Sequence, residues 1–181
     1  LAELAVQFGA LEDAEYLLES AAEFESDNTQ VKIDFVGVLR KRQKFTAALT
    51  AAEKLYREQP NNPQLMSLYA IEQMQMGDYE SAFQLFDAVL EKLPGDAITL
   101  TSRGHALKTC GRQEEAIESY RAATASNPWH GEAYYALSNL KTYRFETAEI
   151  SAMLALEQRE ELGPASRLHL AFALGKAFED E

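Results

Sequence analysis

The stretch ITLTSRGHALKTCGRQEEAIESYRAATASNP, residues 98–128, decides the fold. Leu100, Gly104 and Leu107 recur at helical spacing and line one face of a first helix, while Ala116, Tyr120 and Ala123 line the facing side of a second. Small side chains at Gly104 and Ala116 permit close approach of the two axes. Gly111 offers the left-handed conformation that ends a helix, and Pro128, which lacks an amide donor and crowds the preceding turn, stops the next one. The stretch predicts a helical hairpin.

Working outward, the same punctuation returns. Pro60, Pro94 and Pro128 lie 34 residues apart, as do Ala14, Ala48, Ala82 and Ala116, and Gly9, Gly77 and Gly111 share the register with Gln43 in the gap. Leu11, Phe45 and Tyr79 stand three residues before the alanines, and Leu18, Phe86 and Tyr120 stand four after, with Ala52 in that place in the second copy. A hairpin of this size cannot bury its apolar face alone, so a fixed period with two helices per copy predicts an all-α stack of hairpins.

Composition bounds the function. The 181 residues are 46% hydrophobic and 25% charged, which suits a folded chain with a sizeable core. Seventeen Lys and Arg against 29 Asp and Glu give a net charge of −12, a field that repels phosphate backbones and anionic lipid heads, so neither nucleic acid nor membrane is an expected partner. The single cysteine, Cys110, cannot form an internal disulfide, and a reducing, cytoplasmic setting is expected. No apolar run reaches the roughly 20 residues of a membrane span. The opening LAELAVQFGALEDAEYLLE is acidic where a secretory signal begins basic. The chain starts and stops within repeats and is expected to be part of a longer protein.

These residues resemble the tetratricopeptide (TPR) family, whose repeat is a 34-residue helix-turn-helix, and the resemblance covers essentially the whole chain. It implies a right-handed superhelical solenoid. Residues 1–28 form a partial repeat with Ala14, Leu18 and Ala21 on its surviving helix and Ser26 at the proline position. Full repeats are expected at 29–62, 63–96 and 97–130, a divergent one at 131–167, and the first helix of a truncated one at 168–181. In the divergent repeat Ala148 is placed as the counterpart of Ala116, two residues early, and Leu174 with Gly175 fix the start of the last unit at Leu168. The segments SNLKTYRF and HLAFALGKAFED further resemble the end of the TPR region in bacterial proteins that carry a sulfotransferase domain. No G-x-x-x-x-G-K-[ST] loop occurs in the chain, so any such catalytic domain is expected beyond Glu181.

The resemblance implies that the first helices of the repeats line a concave, partner-binding face. The inward positions of the family select Arg40, Lys41, Gln64, Ile71, Met74, His105, Lys108, Tyr135, Asn139 and Tyr143 as the candidate groove, with Gln30, Ile33, Ser67, Gln75, Ile98, Thr101, Thr109, Glu132 and Thr142 beside them. Glu132 is the acidic member of that set. Cations on the inner face of an acidic chain point to a protein or peptide segment bearing carboxylates, with Tyr135 and Tyr143 as aromatic contacts and Met74 as an adaptable one. Tyr134 is expected to pack between helices and Trp129 to cap the junction beside Pro128.

Other candidates read as surface. The run RKRQK, with Arg40, Lys41, Arg42 and Lys44, occupies a helix end, where cations complement the macrodipole. His105, His130 and His169 lack the H-E-x-x-H spacing of a metal site, and no nucleophile, base and acid constellation is visible, so neither metal, cofactor nor catalysis is expected. The Lys and Asn clamp by which some TPR domains hold heat-shock chaperone tails is missing: Thr101 and His105, or Tyr135 and Asn139, stand at its first pair of positions. What remains is a docking module or a scaffold for self-association.

Overall fold

In the computed structural model of the chain, residues 1–25 and 27–180 are described; Ser26, assigned by register to a proline position, and Glu181 lie outside the described residues. Among the described residues there are eleven helices and no strand. They are α1 (Ala2–Gln7), α2 (Leu11–Phe24), α3 (Thr29–Lys41), α4 (Phe45–Glu58), α5 (Pro63–Gln75), α6 (Tyr79–Lys92), α7 (Ala97–Thr109), α8 (Gln113–Ser126), α9 (Gly131–Ser138), α10 (Thr147–Glu157) and α11 (Pro164–Glu179).

Local chemistry sets these ends. Asn28, Asn62 and Asp96, spaced by the same 34 residues, cap α3, α5 and α7 by accepting hydrogen bonds from the backbone amides of Val31, Gln64 and Thr99. The turns within the hairpins use positive φ at Gly9, Gly77 and Gly111 (75°, 85° and 77°) and, in the gap of that series, at Gln43 (60°). For a residue with a Cβ this conformation costs about 1–2 kcal/mol.

The chain divides into two compact units, Leu1–Leu85 and Phe86–Glu181, with the division inside α6. In the first unit α2 packs on α1 and α3, and α4 packs on α3 and α5. Its core joins Val36, Leu39, Ala48, Ala52, Leu55, Leu65 and Leu68, with Ala14, Leu18 and Val38 in a smaller cluster towards α1. In the second unit α8 packs on α7 and α9, α9 lies against α7 and α11, and α10 packs on α11. The repeated alanines Ala14, Ala48, Ala82 and Ala116 are all fully buried, as helix crossings without room for a larger side chain require.

Two registers differ from the sequence reading. Ala148 is exposed, and Ile150, 34 residues after Ala116, is buried in its stead with Tyr134, Met153 and Leu170. A capping box between Glu146 and Glu149 starts α10 at Thr147, and since α10 packs on α11, an isoleucine fills a site where closer crossings admit only alanine. The last helix starts at Pro164 instead of Leu168, because proline suits the first helical position, where its missing amide goes unused. Leu174 is consequently buried one turn further along the unit than the sequence reading has it, and Gly175 faces open space. The close glycine is Gly131, where an added Cβ would lie 2.8 Å from the Ser166 Cα.

Candidate interaction surface

Of the two cations expected to face inward in the first unit, Arg40 is engaged. Arg40 Nη1 donates to Glu72 Oε1 at 2.9 Å, joining α3 to α5, and Glu72 is only 1% exposed. Burial pushes the Glu72 carboxyl above its ordinary value, and Arg40 opposes this. Glu72 Oε2 and Gln73 Oε1 are buried without a hydrogen-bond partner. Two further members of the basic run pair too: Arg42 with Glu12 (2.6 Å) and Glu15 (2.7 Å), and Lys44 with Glu15 (2.7 Å). Lys41 is exposed with no ion pair among the described residues, beside Arg40 on a cavity of about 540 Å³ that Ala2, Val6, Ile33 and Leu68 also line. Ile71 and Met74 are half-buried on α5, and Gln64 is exposed at its first turn.

In the second unit the repeat pattern builds a polar chain. A Cβ on Gly104 would lie 2.7 Å from Tyr120 Cδ1, so the glycine is what admits the fully buried tyrosine ring. From there the Tyr120 hydroxyl reaches His105 Nδ1 at 2.9 Å, and His105 Nε2 faces Glu132 Oε1 at 3.4 Å. Burial raises the Tyr120 phenol well above its ordinary value, so it keeps its proton and donates to Nδ1 of the neutral ring; Nε2–H then donates to Glu132. That hydrogen bond, against the opposing effect of burial, holds Glu132 below the usual carboxylate range. His130 Nε2 lies 3.1 Å from Thr101 Oγ1, whose own proton goes to the Ala97 carbonyl, and burial lowers the His130 imidazole.

An aromatic shelf adjoins this chain. Tyr135 stacks on His169 with ring centroids 5.3 Å apart and meets Phe172 edge-on at 5.9 Å. Leu168 and Phe172 are 58% and 59% exposed, while Leu170, Ala173, Leu174 and Ala177 on the other side of α11 are buried. Lys108 is exposed one turn from His105 with no ion pair among the described residues. Asn139 caps α9 and donates to the Tyr135 carbonyl at 2.9 Å. Tyr143 stands apart: it lies in the irregular stretch 139–146, donates to Glu149 Oε1 at 2.5 Å and packs edge-on against Phe145. Tyr134 is buried in the core and Trp129 is exposed.

Residues 37–159 match the family described as Psidin, N-terminal TPR repeats region. The chain belongs to that TPR family. Solved structures agree on the fold. TTC0263, a thermophilic TPR protein of Thermus thermophilus, is 17% identical with a TM-score of 0.73 over 96% of this chain and 95% of its own. MamA from residue 41 to its end, of Desulfovibrio magneticus RS-1, is 16% identical with a TM-score of 0.60 over 98% and 89%. A MamA RS-1 double mutant is 16% identical with a TM-score of 0.61 over 99% and 92%. Comparison with curated proteins returned no match.

With the last helix of this TPR chain started at Pro164, Leu168 and Phe172 take the fifth and ninth positions of their unit, the places of Thr101 and His105 on α7 and of Tyr135 and Asn139 on α9. Sequence reasoning missed them by counting from Leu168; the signal was the Gly163–Pro164 pair, a helix start. Among the described residues, no group of three or more His, Cys, Asp or Glu side chains could hold a metal ion, and no helix is long and apolar enough to cross a membrane.

Proposed function

We propose that the chain is a protein-interaction module that docks an extended or helical segment on the face of α7, α9 and α11 turned away from α8 and α10. The observation that carries this reading is the shelf of Tyr135, His169 and Phe172 with Leu168, an exposed aromatic surface on a strongly acidic chain. Aromatic anchors of this kind supply most of the energy of a docked segment. Lys108 at its edge favours a segment bearing carboxylates, whereas Arg40, engaged by Glu72, adds little to that attraction. These residues are assigned binding and no catalysis.

The test uses a synthetic peptide composed of Asp, Glu and Phe. Exchange protection is expected on α9 and α11; Tyr135→Ala should raise the dissociation rate. Lys108→Glu should slow association, and moving from about 0.1 M to about 1 M salt should erase that difference as the screening length falls from roughly 10 Å to roughly 3 Å. A footprint confined to α8 and α10 and indifferent to both changes would reject the reading. The finer placement, as the docking arm of a sulfotransferase-type protein, rests on the sequences SNLKTYRF and HLAFALGKAFED and is tested by seeking a phosphate-cradling loop in the coding sequence past Glu181. Exposed Phe172 and Phe178 favour self-association as a second reading, which sedimentation equilibrium of Phe172→Ser beside the parent tests.

A further inference from the structure

The docking face carries an unusual gathering of imidazoles. His105 from α7 lies 3.4 Å from Glu132, His130 caps the start of α9 two residues before it, and His169 from α11 stacks on Tyr135; Glu132 is the only carboxylate among the inward positions of α7, α9 and α11. We infer that docking on this face is proton-linked: a segment bearing carboxylates beside an aromatic side chain binds more tightly as pH falls from about 8 to about 6, through His105 and His169. This rests on the docking function proposed above and adds its regulation and the chemistry of its partner.

The other charged groups around the cluster have partners or surroundings of their own. The hydrogen bond from His105 lowers the Glu132 carboxyl, and burial lowers the His130 imidazole. Asp96 is committed to the cap of α7, and Tyr120 on α8 keeps its proton. Lys108 is exposed one turn from His105, and Lys176 on α11 is already paired with Asp180 at 2.5 Å. Arg103 is engaged by Asp87 at 2.8 Å, and Arg121 faces Glu146 and Glu149 at 3.6 Å and 3.7 Å.

His105 and His169 are the imidazoles that border the shelf, the first facing Glu132 and the second stacked on Tyr135, and imidazole is the side-chain type suited to answer pH near neutrality. They sit where the answer matters. His105 is oriented from behind by Tyr120, with Lys108 one turn along α7, and His169 stacks directly on the Tyr135 anchor. An anion placed over the shelf favours both imidazolium forms, and by linkage each proton taken up on binding strengthens binding as the pH falls.

Fluorescence anisotropy with the labelled Asp, Glu and Phe peptide on the full chain tests this, since its carboxylates stay ionised at both pH values. Affinity for the parent should rise about tenfold from about pH 8 to about pH 6. The His105→Gln, His169→Gln double variant should keep the affinity seen at the higher pH and lose the dependence. An analogue in which Asn and Gln replace the acids should show none. Calorimetry of the parent in buffers of different ionisation enthalpy should report proton uptake on binding, a readout that stands if the double variant fails to fold. A flat profile without proton uptake overturns the linkage and leaves the docking function in place. An equal dependence in the double variant, or with the neutral analogue, overturns it as well. Absence of binding at both pH values overturns docking of this peptide chemistry and the linkage together.

Discussion

Each unit pairs a carboxylate on one first helix with a basic side chain on the first helix before it, and the two pairs differ. Glu72 is buried, raised by desolvation and tied to Arg40, a side chain that does not change charge at physiological pH. Glu132 is exposed at 49% of its side chain and is answered by His105, which can. A guanidinium on a buried acid makes a structural cross-link between α3 and α5; an imidazole on an accessible acid makes an adjustable surface. The same contrast holds in the turns, where the first unit forces Gln43 into a conformation that Gly111 adopts freely in the second.

The largest effect expected from breaking this contrast is at Arg40. Arg40→Leu leaves Glu72 without its partner and should lower stability at neutral pH by about 3–5 kcal/mol in denaturant unfolding, most of which Glu72→Leu on top should restore. The pH dependence has a definite sign. A carboxyl raised in the folded state contributes stability that is complete below its ordinary value of 4.5 and is lost as the pH rises through the folded value. Arg40→Leu removes the opposing attraction, so the single variant should regain stability on acidification from neutral pH more steeply than the parent. An equal slope would place the ion pair outside the core.

Next in size is Gly104→Ala, whose new Cβ must displace the Tyr120 ring. A loss of about 2–3 kcal/mol is expected by the same measurement, together with changed chemical shifts of the His105 ring by NMR, since the Tyr120 hydroxyl would no longer hold that ring. Gln43→Gly should stabilise the first unit by about 1 kcal/mol by removing its left-handed strain, read as a raised melting midpoint. Smallest is Glu132→Gln. Being largely exposed, it should change stability by less than about 1 kcal/mol while altering the pH profile of docking, which separates an adjustable site from a structural one.

Much of the fold was legible in the chain because the repeat makes independent positions agree. Gly104, Gly111, Ala116 and Tyr120 occupy the places their spacing assigns, and their chemistry alone explains the close crossing and the turn. Legibility failed where one signal stood alone. Ala148 looked like the small crossing residue, yet a capping box two residues upstream of it started the helix in a register that buried Ile150. Leu174 and Gly175 set the start of the last unit at Leu168, yet Pro164 had already started the helix one turn earlier.

The sequence by itself determined helical periodicity, turn positions and, in the regular repeats, the residues small enough for each crossing, because these depend on backbone sterics and on spacing within one hairpin. Only the tertiary structure decided which charges are free. Arg40 and Lys108 look alike as cations near the ends of first helices, but one finds a buried acid 32 residues away and the other finds none among the described residues. Tyr143 likewise turns to Glu149 in the first turn of α10, while His169 and Phe172 come up beside Tyr135. Pairing of charges and stacking of rings depend on distances across helices that no local pattern encodes, and it is those distances that make α7, α9 and α11 the candidate docking face.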